Sequence, residues 1–163
     1  MNTNVAVELS IRRRKATMND LDEIMSLISD AKRQMIDNGV YQWTDDYPNQ
    51  QIVVSDIQNE FIWLYGSGVN ACVTIVEHRN KCLVKRLMVR TSVSGRGIAK
   101  QMLKDVTAKT SASIIEIATS HTNRAMLHLL TKERFNSIGQ YVVKDRPQFG
   151  NFITFQKIIS DHL

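Results

Sequence analysis

Two glycines that flank an arginine stand where a strand-like segment gives way to a helix-like one. Gly95, Arg96 and Gly97 follow the apolar residues 83–89 and open the amphipathic run 97–110. Glycine permits positive φ and leaves neighbouring backbone N–H groups uncovered, and a helix N-terminus adds further free N–H groups. This junction suits a phosphate or pyrophosphate, with the Arg96 charge beside it. A plain glycine-bearing turn is the alternative.

The residues around this loop exclude two common nucleotide-binding motifs. No Gly-Lys-Ser/Thr follows, as a Walker phosphate loop requires. The third glycine of the dinucleotide-binding fingerprint is also missing. If the loop binds a phosphate group, the ligand is therefore of another kind.

Hydrophobic periodicity predicts the elements that position this loop. The strands first cluster, at residues 61–89, and then alternate with helices, which favours a mixed α/β sheet in a single domain covering residues 1–163. The predicted strands are residues 9–16, 61–65, 69–77, 83–89, 114–119, 141–144 and 152–157, and the predicted helices are residues 20–38, 50–59, 97–110 and 123–133.

Composition is that of an ordinary globular domain. The 163 residues are 43% hydrophobic and 23% charged. Cys72 and Cys82 are too few for a disulfide framework and lack metal-ligand spacing, so we expect buried thiols and no metal. The basic run 12–15 leads into polar residues rather than an apolar segment, and no apolar span reaches membrane length. We therefore expect a cytoplasmic protein with no membrane contact.

A net charge of +5 suits an anionic partner. The basic run 12–15 could serve a nucleic-acid-binding module, but it has no interleaved aromatic residues and matches no such motif. A solvated strand edge is the other interpretation of this run. A phosphorylated small molecule uses positive charge equally well, so nucleic acid is not the expected partner.

Three stretches of the sequence share motifs with one protein family. Residues 92–97 fill the pattern Gln/Arg-x-x-Gly-x-Gly/Ala and are followed by Ile-Ala. Residues 39–57 contain Gln-Trp, Tyr-Pro and Asp-Ile in the family's order, and residues 120–135 match its Asn-bearing helix through His121, Asn123, Met126, Leu129, Leu130 and Phe135. Together they resemble the small bacterial members of the GNAT superfamily of acyl-CoA-dependent N-acetyltransferases, over residues 9–157.

The resemblance implies a largely antiparallel sheet flanked by helices and a binding site for acetyl-CoA. The strand before the glycine loop would hydrogen-bond the pantetheine arm, the loop N–H groups would hold the pyrophosphate, and the later helix would flank the pantetheine. The residues implied in coenzyme A binding are Leu87, Met88, Val89, Ser94, Gly95, Arg96, Gly97, Ile98, Ala99, Asn123 and Met126.

The resemblance also implies a reaction in which a neutral amine attacks the thioester directly. A backbone N–H near Val89 would meet the oxyanion, and positioning would supply much of the rate. The acceptor would be a primary amine of a small molecule or a peptide. A strand edge near the C-terminus would suit a homodimer.

The sequence departs from the family pattern at four positions. Ser92 replaces the Gln/Arg of the loop, and Arg134 replaces a glycine. Leu129 stands where many members place a tyrosine that protonates the leaving thiolate, and Ala118 stands where related members carry an aspartate. The last two departures leave a non-catalytic acyl-CoA sensor open as the alternative function.

No catalytic residue is assigned from the sequence, because each candidate base has a structural alternative. His121 has a suitable ordinary pKa but also fits the entry of a helix. Glu116 faces either a polar cleft or solvent, and Glu77 fits a surface position. Further candidates are the loop carboxylates Asp45 and Asp46, which suit either a cationic amine or a solvated turn. Trp43 is expected in the core rather than in the wall of an acceptor site.

Overall fold

Seven strands form one sheet in the order β1-β2-β3-β4-β5-β7-β6, in a computed structural model that describes residues 12–159. All neighbouring strands are antiparallel except β4 and β5. The strands are β1 Arg13–Lys15, β2 Ile62–Tyr65, β3 Ala71–His78, β4 Lys81–Val89, β5 Ile114–Ser120, β6 Asn136–Val142 and β7 Asn151–Ile158, and the helices are α1 Leu21–Asp37, α2 Gln50–Gln58, α3 Ile98–Lys109 and α4 Arg124–Lys132.

The predicted mixed α/β class and the order of elements are confirmed, with one clear error of boundary. The strand predicted at residues 141–144 is β6, which begins at Asn136 and ends at Val142. Its first residues include asparagine, serine, glycine and glutamine, which favour strands weakly, and pairing with β7 decides the structure instead. Residues 9–11 of the first predicted strand lie outside the described residues.

Two cores lie on opposite faces of the sheet. Alternate residues of a strand point to opposite faces, and Cys72 packs in one core while Val73 packs in the other. The first core holds the buried face of α1 together with Val53 of α2. The second holds α3 and α4 through Met102, Leu103 and Leu130. The two helical layers thus support β4 from both sides.

Both cysteines are free and buried, one in each core. Burial raises the pKa of the Cys72 thiol to about 12, so this thiol stays protonated at neutral pH. Within residues 12–159, none of the helices combines the length and the apolar character that crossing a bilayer requires. In the same part of the chain, no group of three or more His, Cys, Asp or Glu side chains is placed to hold a metal ion.

A bidentate ion pair holds the chain at the start of α1. Both guanidinium nitrogens of Arg14 donate to Asp20 at 2.9 Å, and the Thr17 N–H donates to the same carboxylate at 2.8 Å. The hydrogen bond from Arg14 lowers the pKa of Asp20 to about 2. A carboxylate with a lowered folded-state pKa stabilises the fold above its unfolded pKa, and this contribution is lost as the pH falls through the folded pKa.

We expect Asp20→Asn to lower the free energy of unfolding at pH 7 by about 1 kcal/mol, since Arg14 is half exposed and solvent screens the pair. The difference between wild type and variant should shrink as the pH falls from about 4 towards 2. Urea unfolding at a series of pH values measures it. A difference that stays constant down to pH 2 would mean that the ion pair does not stabilise the fold.

Candidate functional site

A cleft opens in the middle of the sheet where β4 and β5 separate. The two strands pair in parallel only where Lys81, Cys82 and Leu83 face Ile114, Ile115 and Glu116. Beyond that point β4 continues along β3, and β5 continues along β7. A cavity of about 390 Å³ fills the resulting gap, with β4 forming one wall and β5 the other.

Backbone groups of β4 face this cleft without a strand partner. The Arg90 N–H donates to the Asn70 carbonyl at 2.7 Å, on the β3 side. Because backbone groups alternate in direction along a strand, those of Met88 also point to β3, and the N–H and carbonyl of Val89 point into the cleft. Val89 therefore offers one donor and one acceptor to a ligand.

A β-bulge lies in β4 at Arg86 and Leu87, which together face Val73 of β3. The register between β3 and β4 shifts between Cys72 and Thr74, and Arg86 has a positive φ of 48°. A bulge leaves one residue outside the ladder and turns its neighbours. The bulge thereby directs the Arg86 side chain into the cleft wall, where it is 12% exposed.

The glycine loop forms the other end of the cleft. Gly95 and Gly97 have φ values of 76° and 78°, and Gly97 is the N-cap of α3. The Gln101 N–H makes the first bond of the helix, to the Gly97 carbonyl, which leaves the N–H groups of the preceding turn without helical acceptors. Within residues 12–159, and apart from the two chain neighbours of each glycine, no heavy atom lies within 4 Å of the place where a Cβ would be. The loop is thus an open cradle of donors.

A groove of about 570 Å³ runs from this loop to the β4–β5 gap. The groove and the 390 Å³ cavity share Leu87, Asn123 and Met126 among their lining residues, so they form one continuous cleft. Of the residues implied in coenzyme A binding, those that line the groove are Leu87, Val89, Ser94, Gly95, Gly97, Ile98, Ala99, Asn123 and Met126.

Two residues implied in binding do not line the groove. Met88 is 4% exposed and packs in the core beneath α1, because it faces the sheet surface opposite Leu87 and Val89. Its side chain therefore points away from the cleft, and the implied role of Met88, which concerned the strand backbone, stays a prediction. Arg96 is exposed at the tip of the glycine loop. It adds positive charge near the groove but does not form part of the groove wall.

Asn123 joins the two parts of the cleft. Its side-chain oxygen accepts a hydrogen bond from the Met126 N–H at 3.3 Å and so caps α4. The cap fixes the side chain at the point shared by groove and cavity, while the amide nitrogen keeps its two donors for another acceptor.

A loop from the N-terminal half of the chain closes the cavity over β5. The Gln42 side-chain oxygen accepts from the Ser120 N–H at 3.1 Å, where β4 would have supplied a partner had the strands stayed paired. The Gln42 carbonyl accepts from the Arg146 guanidinium at 3.1 Å. That guanidinium lies over the Tyr47 ring, 4.6 Å from its centre.

A buried ion pair in the same wall was not found from the sequence. The Arg86 guanidinium pairs with Asp56 and donates to the Tyr47 hydroxyl at 3.1 Å. Asp56 and Tyr47 precede Arg86 by 30 and 39 residues. The sequence offered one signal for this ion pair, which is the charged residue Arg86 within a largely apolar stretch of the strand.

Glu116 is the candidate base that reaches the cleft. It lines the cavity, and its Oε1 accepts from Gln156 at 2.8 Å and pairs with Lys81 at 3.5 Å. His121 instead contacts the Asn151 carbonyl at 3.0 Å, outside the cavity. Glu77 accepts from Thr110 at 2.8 Å in a separate depression. The loop carboxylates Asp45 and Asp46 are exposed and do not line the cleft.

Aromatic side chains complete the cavity. Trp43 lines it and also packs against the α1 core. Tyr141 stacks on Phe152 with ring centres 5.6 Å apart, and partial burial raises the pKa of its hydroxyl. Ala118 and Leu129 line the cleft without a proton to exchange. The hydroxyl side chains that line the cavity are those of Tyr47, Thr119, Tyr141 and Thr154.

Solved structures share this architecture over most of their length. A GNAT-family acetyltransferase from Streptococcus agalactiae is 24% identical and superposes with a TM-score of 0.80, covering 91% of this chain and 95% of that one. The chain has the GNAT fold. A PaiA N-acetyltransferase from Thermoplasma acidophilum, solved with coenzyme A, has the same GNAT fold at 16% identity and a TM-score of 0.72, with 91% and 99% covered.

A third GNAT structure is a putative acetyltransferase from Salmonella typhimurium, solved with its cofactor acetyl-CoA. It is 14% identical, has a TM-score of 0.71 and covers 94% of this chain and 96% of its own. No protein-family model matches the sequence, and neither does any curated protein. The GNAT fold expected from the sequence motifs is therefore confirmed through structure.

Proposed function

We propose that the protein is an acetyl-CoA-dependent N-acetyltransferase that transfers an acetyl group to a primary amine. The observation that carries the proposal is the continuous cleft from the glycine loop to Glu116. One end offers uncovered N–H groups at Gly97 and the start of α3, and the other end offers a carboxylate. The coenzyme A and acetyl-CoA complexes of proteins with this fold support it.

The residues of the cleft fit coenzyme A. The open space at Gly95 and Gly97 leaves room for a pyrophosphate against backbone N–H groups. Lys100 and Arg124 add positive charge to the same groove. The free N–H and carbonyl of Val89 match an extended chain that contains amide groups, as the pantetheine arm does. When bound there, acetyl-CoA supplies an acetyl group activated as a thioester.

The chain's own groups then perform two tasks. We assign the oxyanion to a backbone N–H near Val89, which donates to the oxygen that gains negative charge. We assign proton transfer to Glu116, which takes a proton from the incoming ammonium because only the neutral amine can attack. Its bonds from Gln156 and Lys81 hold one carboxylate oxygen, and the other oxygen remains for the amine.

Addition of acetyl-CoA should raise the thermal unfolding midpoint, because a ligand that binds only the folded state stabilises it. With a panel of amines, free thiol should then appear together with acetylated product. Differential scanning fluorimetry and a thiol-release assay measure the two. Absence of any acetyl-CoA effect would overturn the proposal, and binding without transfer to any amine would favour an acyl-CoA sensor instead.

A further inference from the structure

The acceptor end of the cleft contains more positive than negative charge. Lys85, Arg86 and Arg146 line the cavity together with the carboxylate of Glu116. Arg86 is neutralised by Asp56 within the wall. Arg146 differs, because no carboxylate of residues 12–159 lies within 4.0 Å of its guanidinium. The cavity therefore presents one half-buried guanidinium with an unbalanced charge.

Arg146 is also held in one place. One of its nitrogens donates to the Gln42 carbonyl at 3.1 Å, and the Tyr47 ring supports its plane at 4.6 Å. Tyr47 is itself fixed by the hydrogen bond from Arg86. A guanidinium has five N–H donors in a planar fork, so most of its donors remain for a ligand. A fixed planar fork of this kind matches the two oxygens of a carboxylate.

Glu116 and Arg146 line the same cavity but come from β5 and from the segment between β6 and β7. One attracts a cation and the other an anion. A molecule with an ammonium group and a single negative charge satisfies both. A phosphate carries more negative charge than a carboxylate, so Glu116 would repel a phosphate more strongly.

We propose that the acceptor is an amine whose molecule also carries a carboxylate, with Arg146 binding the carboxylate and Glu116 facing the ammonium. The inference rests on the proposed acetyl transfer and adds the chemical class of its substrate. Arg146 is then a specificity residue, which acts on the acceptor and leaves acetyl-CoA binding unchanged.

The test compares a series of ω-amino acids of increasing length, each with its own primary amide, as acetyl acceptors. In a long-chain pair, the acid has a carboxylate where its amide has an uncharged group, while the distant amines of the two molecules remain chemically similar. We expect the wild-type protein to prefer the carboxylate member by at least about 10-fold in kcat/KM. Arg146→Gln should raise KM for that member roughly 10- to 100-fold, with KM for acetyl-CoA and for the amide unchanged.

Lys144→Gln is the matched control, because it removes an exposed cation two residues away that does not line the cavity. It should preserve the preference for the carboxylate. Equal use of acid and amide by the wild type would overturn the inference while leaving acetyl transfer intact. An equal loss for both members in Arg146→Gln would also overturn it, since Arg146 would then only hold the loop in place.

A binding measurement keeps the inference testable without turnover. The N-acetylated acids and amides can be titrated calorimetrically into protein saturated with coenzyme A. Arg146-dependent binding of the acids would support the carboxylate site even if no amine is acetylated, in which case catalysis alone would be disproved. Binding of acids and amides with the same affinity would overturn the site.

Discussion

Gly97→Glu should abolish measurable acetyl-CoA binding, weakening it by more than about 100-fold. Gly97 has a φ of 78° and open space beside it. A glutamate there places a side chain and a negative charge where the pyrophosphate is expected. Isothermal titration of the purified variant with acetyl-CoA measures the loss, and circular dichroism establishes whether the variant is folded.

Gly66→Glu is the matched control for this substitution. Gly66 also has a φ of 78°, and among the described residues beyond its chain neighbours no heavy atom lies within 4 Å of the place where its Cβ would be. It lies between β2 and β3, away from the cleft. Both variants therefore carry the same backbone strain, of about 1–2 kcal/mol for a residue with a Cβ. Normal acetyl-CoA binding by a folded Gly97→Glu protein would show that the glycine loop is not the phosphate site.

Glu116→Gln should lower kcat/KM for the acceptor amine by roughly 10²- to 10⁴-fold at neutral pH, the usual effect of losing a general base. Glutamine has nearly the same shape, and its amide oxygen can still accept from Gln156. The lost pair with Lys81, which is 44% exposed, contributes less than about 1 kcal/mol to stability. Steady-state kinetics at saturating acetyl-CoA measures the effect.

The pH dependence separates proton transfer from a merely structural role. A free alkylamine has a pKa near that of lysine, about 10.4, so it needs less help from a base as the pH rises. The ratio of wild-type to variant activity should therefore shrink between pH 7 and pH 10. Glu77→Gln, which alters a carboxylate outside the cleft, should keep the wild-type profile. A constant ratio at all pH values would exclude Glu116 as the base.

The sequence motifs predicted the elements and the glycine end of the cleft because these depend on local patterns. Periodicity located α1 and α3, and the positive φ of Gly97 follows from its residue type and its position before a helix. The strand β6 was misplaced because its polar residues pair with β7 despite weak local preference. Tertiary pairing, rather than propensity, determines such a strand.

The other end of the cleft was predicted only in part. Glu116 and Trp43 were considered from the sequence, but the residues around them come from segments far apart in the chain. The contact between Gln42 and Arg146 spans 104 residues, and that between Gln42 and Ser120 spans 78. Gln42 belongs to the Gln-Trp motif, but that motif does not predict its partners, and Arg146 lies outside all three motif stretches. The point where β4 leaves β5 is likewise a property of two strands together, and it decides that Glu116 faces a cleft.

The separation of β4 and β5 gives the sheet of residues 12–159 two interior edges in addition to its outer ones. Outer edges can pair with strands of other proteins and so promote aggregation. The inner edge of β4, at Val89, lies within a gap that β5 and the Gln42 loop bound on the other side. The gap therefore shields this edge from the sheets of other proteins more than an outer edge is shielded. It is also where we propose that the pantetheine arm binds, so its unpaired backbone would serve recognition with less exposure to unwanted partners.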